Sequence, residues 1–558
     1  MELFKKVNIF LELEQNIRRF YDLKTQTRWQ TPDQLRILLD ELVSWKSVTL
    51  TEGEREFPIK LQAKLQDLEY FGENPTYLEL HDADMRRKFL TALYKHPDAT
   101  ETIVLISHFD TVNTEEYGDF EALATHPEEL TKVWMENQAK LPHDVLEDLN
   151  TGEYLFGRGA MDMKMGLVLH MRLIEKASIE QWPINLLLLT VPDEEVNSSG
   201  MRCAVPTLLE IQKTHHLSFK LFLNSEPVFS INPKNHDFFI YSGTIGKILG
   251  AALFYGKETH AGEPLSGLTS PYIASFLTKE MEWNDSFVEN VMGETTPLPL
   301  TLQQADLSLA YSTQTPYRSS ALYNIFVMKR SASEVFDIYE QVANRAVQKL
   351  NQDYEEKCKR FNVNPIGKVK VVKYKDLLEY AMKKLGEAAI AEIKADIYYQ
   401  DGLDDREKSL RIVDKLMIHC QELAPAIVIL FAPPYYPAVN SSENELVKKC
   451  VDFVSETAMA KFHLPIKQVH YFNGICDLSY VNYEGTEEGW SAFEENTPVW
   501  MDTYSIPFPE MQQLNAPVLN VGPFGKDAHK RSERLHIKNA FEQTPILLEE
   551  LIRMLMEE

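Results

Sequence analysis

The sequence predicts a two-domain α/β protein, in which an α/β/α domain is interrupted by an inserted α+β lid. The chain has 558 residues, whereas a single hydrophobic core stops growing at about 250–300 residues. Short apolar runs alternate with helical segments in the first half of the chain, and this pattern changes after Ser242-Gly243. It returns after about residue 440, which indicates one domain split in sequence by another.

The first elements are helices followed by strands. Helical spacing of apolar residues covers 7–45, with Thr31-Pro32 as a start signal for a second helix. Strands are predicted over 77–80, 89–94 and 102–107. The last run carries four consecutive apolar residues, as expected for a strand that is buried on both faces of a sheet.

The rest of the first half alternates helices with buried strands. Strands are predicted over Ile184–Val191 and 221–223, and helices over 166–176 and 205–212. A further helix is predicted over 122–138. We therefore expect a sheet covered by helices on both sides.

The second half supplies the lid and the return to the first domain. Predicted strands cover 244–255, 324–328, 469–472 and 518–521, and predicted helices cover 271–282, 332–351, 374–395, 409–423, 443–462 and 540–557. The proline-rich run 433–437 marks the end of the lid segment. The predicted domains are 1–243 with 440–558, and an inserted lid over 244–439.

Composition narrows the class of protein. Lys+Arg 57 against Asp+Glu 83 gives a net charge of −26, which disfavours binding to nucleic acid or to an anionic membrane. The five cysteines are scattered, without a CxxC pair, as in reduced cytosolic proteins. No signal-peptide core begins the chain, and the apolar runs fall short of the ~20 residues that span a membrane. We expect a cytoplasmic location.

Polar residues follow several of the predicted strands. His108 and Asp110 end one strand and point to the same side of it, so that one can bind a metal while the other orients it; a capped strand end is the alternative. Asp193-Glu194-Glu195 follows a second strand and Glu226 a third. Three adjacent carboxylates repel one another unless a cation collects them, although a solvated loop would also explain them.

Two further residues lie in loops. Asp162 belongs to the glycine-containing turn 157–166, and His529 lies in the loop 522–530. The turn could also cradle a phosphate, but it lacks the GxxxxGK(S/T) spacing of a nucleotide site. Together the residues form a nitrogen and oxygen ligand set that suits zinc, cobalt or manganese, and a bridging carboxylate suits a pair of metals.

The motifs resemble those of the zinc aminoacylase/dipeptidase family of metallopeptidases, peptidase family M20, which includes N-acetylornithine deacetylase and succinyl-diaminopimelate desuccinylase. The matching blocks are SHFDTV at 107–112, GRGAMDMKMG at 157–166, the DEE turn, Glu226, His529 and the lid block at 256–264. Chain length and the enlarged lid look most like an arginine-utilisation, RocB-like branch. The resemblance implies a phosphorylase/hydrolase-like catalytic domain, two divalent metal ions, and a lid that can form a homodimer.

The resemblance also implies residue roles. Asp162 would bridge two metals, most simply zinc, with His108 and Glu226 on one and Glu195 and His529 on the other. Asp110 would orient His108. Glu194 would act as the general base, and His260 would stabilise the oxyanion from the lid. The implied reaction is hydrolysis of an amide in a small molecule such as an N-acyl amino acid.

The sequence departs from the family pattern around the substrate. The segment 473–479 keeps Asp477 but lacks the arginine of the family's GGTDAR turn, and Thr269-Ser270 replaces an Asn-Ala pair. Asp477 and Arg330 are predicted substrate contacts, although solvation at the surface would also explain Arg330. An acylated arginine, ornithine or citrulline is the predicted substrate class. A binding protein without turnover on the same scaffold and a nucleotide-binding protein remain as alternatives.

Overall fold

The computed structural model describes residues 27–229, 237–307, 313–400 and 402–557. Of the helical segment predicted over 7–45, the part before residue 27 lies outside the described residues. The remainder begins a helix after Thr31, whose side chain accepts a hydrogen bond from the backbone of Gln34, while the Gln34 side chain accepts from the backbone of Thr31. This reciprocal cap explains why the helix begins where Thr31-Pro32 predicts.

The strands are β1 (Leu78–Asp82), β2 (Lys88–Tyr94), β3 (Glu101–His108), β4 (Tyr154–Phe156), β5 (Asn185–Val191), β6 (Ser218–Asn224), β7 (Phe238–Tyr241), β8 (Gly243–Thr244), β9 (Gly246–Tyr255), β10 (Asn290–Val291), β11 (Glu294–Thr295), β12 (Leu300–Asp306), β13 (Arg318–Val327), β14 (Lys370–Lys373), β15 (Ala426–Tyr436), β16 (Val439–Asn440), β17 (Ile466–Val469), β18 (Val518–Asn520), β19 (Gly525–Lys526) and β20 (Arg534–His536).

The helices are α1 (Pro32–Ser44), α2 (Glu52–Gln66), α3 (Glu69–Glu73), α4 (Pro127–Glu136), α5 (His143–Thr151), α6 (Met165–Glu180), α7 (Ser199–Thr214), α8 (Ser270–Met281), α9 (Ala332–Arg360), α10 (Tyr374–Leu385), α11 (Glu387–Tyr398), α12 (Asp405–His419), α13 (Glu445–Phe462), α14 (Glu487–Asn496), α15 (Phe508–Gln513) and α16 (Thr544–Glu557). Among the described helices, none combines the length and apolar character needed to cross a membrane.

The larger sheet has eight strands in the order β1-β2-β5-β3-β6-β18-β7-β17. Its centre is parallel, with β3 paired between β5 and β6. Val104 and Ile106 of β3 pack in one apolar cluster with residues of α7, and Ile103 and Leu105 pack in another with residues of α6. The two clusters lie on opposite faces of β3, because successive side chains alternate. The predicted helix-covered α/β sheet is confirmed.

The smaller sheet has five strands in the order β12-β13-β9-β15-β14. The Tyr339 hydroxyl of α9 donates to the carbonyl of Ala251 in β9, and the side chain of Tyr339 lies next to Gly250. On the other face, Tyr255 of β9 donates to Asp414 of α12 at 2.6 Å. This sheet therefore also has a helix on each face.

Several element boundaries differ from the sequence prediction. The helix predicted over 374–395 is broken at Gly386, which has a φ of +85°. The strand predicted over 469–472 ends at Val469. The proline-rich run 433–437 begins inside β15, which continues through Tyr436 as the last strand in sequence of the smaller sheet. Strand β7, in which two of the four residues are only partly buried, is absent from the sequence prediction.

The predicted domain boundaries stay a prediction, which the sheets support in outline. All strands of the five-stranded sheet lie between residues 246 and 436. However, α14, which those boundaries assign to the larger domain, packs on the smaller sheet. Its Phe493 stacks on Phe431 of β15 at 5.5 Å between ring centroids, and Ser333 of α9 donates to the carbonyl of Glu488.

Candidate metal centre

The predicted ligands meet at one edge of the larger sheet. His108 is the last residue of β3, and Asp193 and Glu226 each come two residues after the ends of β5 and β6. These three strands are parallel neighbours, so their carboxyl ends lie side by side. The strand order thus brings together residues that lie far apart in the sequence.

The first group of ligand atoms comes from His108, Asp162 and Glu226, which lie within 4.8 Å of one another. His108 Nε2 is 3.3 Å from Asp162 Oδ1 and 3.6 Å from Glu226 Oε1. His108 and Glu226 are buried. This geometry gathers one ring nitrogen and two carboxylates around a common point, as metal sites do.

The second group consists of Asp162, Glu195 and His529, again within 4.8 Å of one another. His529 Nε2 is 3.1 Å from Asp162 Oδ2 and 2.9 Å from Glu195 Oε2. Asp162 therefore presents one oxygen to each histidine and belongs to both groups. Because it is shared, the arrangement fits a pair of cations bridged by one carboxylate.

The electrostatics of the cluster fit divalent cations. Burial, and then the neighbouring acidic groups, raise the pKa values of Glu194 and Glu226 well above the ordinary range, although the charge of His108 opposes this rise. His108 Nε2 and Glu226 Oε1 are buried without a hydrogen-bond partner among the described residues. Unpaired buried polar atoms are costly, and two bound cations would satisfy both the charge and the unpaired atoms.

Asp110 connects the two halves of the cluster. Its Oδ1 lies 3.4 Å from Nδ1 of His108, and its carboxylate accepts the backbone N–H groups of Glu194 and Glu195 at 3.1 and 3.3 Å. The Thr49 hydroxyl donates to the same carboxylate at 2.8 Å. The backbone carbonyl of Asp110 also lies 3.1 Å from the same Nδ1. Asp110 thus contacts His108 and holds the loop after β5, which the spacing did not indicate, and its role in orienting His108 stays a prediction.

The turn that carries Asp162 is held by two residues that the sequence analysis did not assign. Arg158 donates to the buried Glu533 at 2.6 Å and to the carbonyl of His529 at 3.0 Å, and Glu533 accepts the N–H of Gly159 at 2.8 Å. The N–H groups of residues 157–160 all donate within the protein. These four N–H groups are therefore not free to cradle a phosphate, which disfavours the nucleotide-binding alternative for this turn.

Gly166 brings the helix that follows this turn close to a second ligand. A Cβ at this position would lie 2.4 Å from the carbonyl oxygen of Ser225, the residue before Glu226. Only glycine permits that approach. The last glycine of the motif therefore fixes the distance between the Asp162 turn and the Glu226 loop.

Glu194 lies beside the ligands without joining either group. Its Oε2 is 3.8 Å from His108 Nε2, and Asp162, Glu195 and Glu226 are the carboxylates of the two groups. Its side chain is 9% exposed. A carboxylate at the edge of a metal cluster, free of the ligand set, is placed to exchange protons with water.

The other three predicted site residues, Asp477, His260 and Arg330, lie in three different environments. Asp477 is buried close to the cluster, and neither carboxylate oxygen has a hydrogen-bond partner among the described residues. His260 is exposed and contacts its own loop and Gln314. Arg330 donates to the carbonyl of Ser286 and lines a cavity of about 660 Å³ whose walls contain none of the metal-site candidates.

An α/β fold that gathers two histidine–carboxylate groups sharing one aspartate beside the carboxyl ends of its parallel strands is typical of a metallohydrolase centre. The family model described as peptidase family M20/M25/M40 matches residues 104–486. The chain belongs to this family of metallopeptidases, and the predicted family membership is confirmed.

The chain is also similar to individual proteins over most of its length. The chain is 40% identical to the uncharacterized protein YqjN of Bacillus subtilis (strain 168) over 539 residues, which cover 95% of this chain and 98% of YqjN. It is 28% identical to protein RocB of the same organism over 93% of this chain and 94% of RocB. The fold is similar to that of the M20 family metallo-carboxypeptidase Sso-CP2 from Sulfolobus solfataricus, with a TM-score of 0.56, 12% identity, and coverage of 94% and 99% of the two chains.

Proposed function

We propose that this protein is a two-metal amidohydrolase that cleaves an amide bond of an N-acyl amino acid or a small peptide. The observation that carries the proposal is the position of Asp162, whose two oxygens face His108 and His529, with Glu194 beside the cluster. A bridged pair of cations with an adjacent free carboxylate is the arrangement that hydrolysis by activated water requires.

The proposed ligands are His108, Asp162 and Glu226 for one cation, and Asp162, Glu195 and His529 for the other. The nitrogen and oxygen set suits zinc best, and cobalt or manganese would also bind. When bound, the metals would lower the pKa of the attacking water and polarise the scissile carbonyl.

The protein's own residues carry the proton transfers. Glu194 accepts a proton from the water while the water oxygen attacks the carbonyl carbon. It then delivers that proton to the amide nitrogen as the C–N bond breaks. Asp110 keeps Glu194 in place through its backbone N–H and keeps the His108 ring oriented. The products are a carboxylic acid and an amine, with no covalent enzyme intermediate.

The proposed substrate is an acylated arginine, ornithine or citrulline. The similarity to RocB over nearly the whole chain supports arginine or ornithine catabolism as the setting. Asp477 and Arg330 are proposed substrate contacts. Of these, Asp477 is supported by its burial beside Glu194. A protein that binds such a compound without turnover is the alternative, and it would not need Glu194.

The metal centre is tested by metal content. Protein purified without a chelator should hold about two divalent ions per chain by mass spectrometry. The variant His108→Ala should hold about half or less, since it removes a ring nitrogen at the centre of one group. His143→Ala serves as the control, because His143 is 88% exposed. A wild-type protein that stays metal-free after reconstitution with zinc, manganese and cobalt would contradict the proposal.

We also propose a homodimer that forms through the edge of the five-stranded sheet. Strand β12 is an edge strand, and it exposes Leu300 and Leu302 next to Trp283, which are 37%, 53% and 69% exposed. An exposed apolar edge strand readily pairs with another strand. Helices α10 to α12 follow β14, which is the edge strand on the opposite side of this sheet.

A charge on this edge should separate the subunits. The variant Leu302→Lys should shift the mass measured by light scattering from dimer to monomer, because a lysine disfavours edge-to-edge pairing. Ile59→Lys is a matched control, since Ile59 is similarly exposed (53%) on α2 of the larger domain. A wild-type monomer would contradict the proposal.

A further inference from the structure

Strands β9 and β15 of the lid direct one lysine toward the metal centre. Lys247 pairs directly with Tyr436, and residues that face each other across two strands have side chains on the same face of the sheet. The Tyr436 hydroxyl donates to the carbonyl of Glu194 at 3.2 Å. The face that carries Lys247 is therefore the face that meets the loop after β5.

Helix α12 also contacts the loop after β5. Asp405, its first residue, accepts a hydrogen bond from Asn197 of the loop after β5 at 3.2 Å. The next residue, Arg406, is bound by two nitrogens to Asp404 at 3.0 and 2.8 Å. Burial, and then the charge of Arg406, hold the pKa of Lys247 below its usual value, while the Glu194 carboxylate raises it. Lys247 thus lies within electrostatic reach of both groups.

Lys247 differs from the other lysines at this junction. It is partly buried, and over the described residues its ammonium has neither an ion pair nor a hydrogen bond. Lys408 on α12, by contrast, is paired with Asp405 at 3.2 Å, and the charge of Arg406 is matched by Asp404. Burying an ammonium group without a partner costs free energy, and an anionic ligand bound to it would offset that cost.

We propose that Lys247 binds the free carboxylate of the amide substrate. The inference rests on the proposed function, since N-acyl amino acids and small peptides carry a carboxylate close to the scissile bond. The two ligand groups and Glu194 consist of carboxylates and two histidines, and Lys247 brings an unpaired ammonium toward them from the lid. Lys247 is better placed than Arg330, which lines a different cavity and is bound to Ser286.

The test compares an acid with its amide. Hydrolysis of N-acetyl-L-arginine and N-acetyl-L-argininamide is measured with the wild type, Lys247→Met and Lys247→Arg. Lys247→Met should lower kcat/KM for the acid by about 10- to 100-fold, mainly through KM, because a hydrogen bond to a charged group is lost. The amide should change less than about threefold, and Lys247→Arg should recover most of the loss. Lys415→Met, an exposed lysine on α12, is the matched control.

Binding of the same two compounds, measured by calorimetry in a Glu194→Gln background, separates this proposal from the proposed function. A preference for the acid that disappears with Lys247→Met supports the role of Lys247 even if no variant hydrolyses either compound; that outcome would contradict only the amidohydrolase. Equal losses on acid and amide, no loss on either, or no binding of either compound by any variant would overturn the role of Lys247.

Discussion

Replacing Glu194 with glutamine should lower kcat by about 10²- to 10⁴-fold, the usual contribution of a general base, and leave the metal content unchanged. Glutamine keeps the size of the side chain but cannot accept the proton from water. Metal should stay bound because neither ligand group contains Glu194. The measurements are kcat on an N-acyl amino acid substrate and metal per chain by mass spectrometry.

The neighbouring residue provides the matched control. Glu195 is adjacent in sequence and belongs to the ligand group with Asp162 and His529, so Glu195→Gln should lower both metal content and activity. If Glu194→Gln keeps wild-type activity, another group is the base. If it loses metal as Glu195→Gln does, Glu194 is a ligand and the division of roles between the two residues is wrong.

Much of the site follows from local sequence pattern. His108, the 193–195 acids and Glu226 each follow an apolar run, and parallel strands bring their carboxyl ends to one edge. A pattern of this kind locates residues without knowledge of the strand order. The pairing of β3 between β5 and β6 then brings the three together.

Residues that support the site from a distance carry no such pattern. Arg158 and Glu533 are 375 positions apart, and nothing near Glu533 indicates that it holds the Asp162 turn. The sequence around Lys247 likewise does not indicate its role, because its position near the loop that carries Glu194 depends on the packing of the lid against the larger sheet. Such contacts are set by tertiary structure, and periodicity within one element does not report them.

Arg87 is another residue that supports the site and that no sequence pattern indicates. It lies between β1 and β2, is 2% exposed, and contacts Asp193 at 2.7 Å and Glu54 at 3.3 Å. A further nitrogen donates to Ser199, the first residue of α7, at 2.9 Å. Asp193 is the first acid of the 193–195 loop, and its carbonyl accepts three backbone N–H groups of that loop. Arg87 therefore holds the segment that carries Glu194 and Glu195.

Arg87→Met should destabilise the larger domain by about 3–5 kcal/mol, the cost of leaving buried charges without their partner. Stability is measured by urea unfolding followed by circular dichroism, with metal per chain as a second readout, which should fall because Glu195 loses its support. Arg28→Met removes an exposed pair with Asp67 (51% and 66% exposed) and should cost less than about 1 kcal/mol.

A double variant identifies the physical cause. Burial raises the pKa of Glu54 to about 8 even beside Arg87, so at neutral pH this buried carboxyl opposes folding, either as a charge or by taking up a proton. Adding Glu54→Gln to Arg87→Met removes that cost, and the double variant should be more stable than Arg87→Met alone. Lost packing of the arginine stem would instead make the two changes additive or worse. Equal stability of Arg87→Met and Arg28→Met would show that the buried network contributes no more than a surface pair, and that the 193–195 loop holds its position without Arg87.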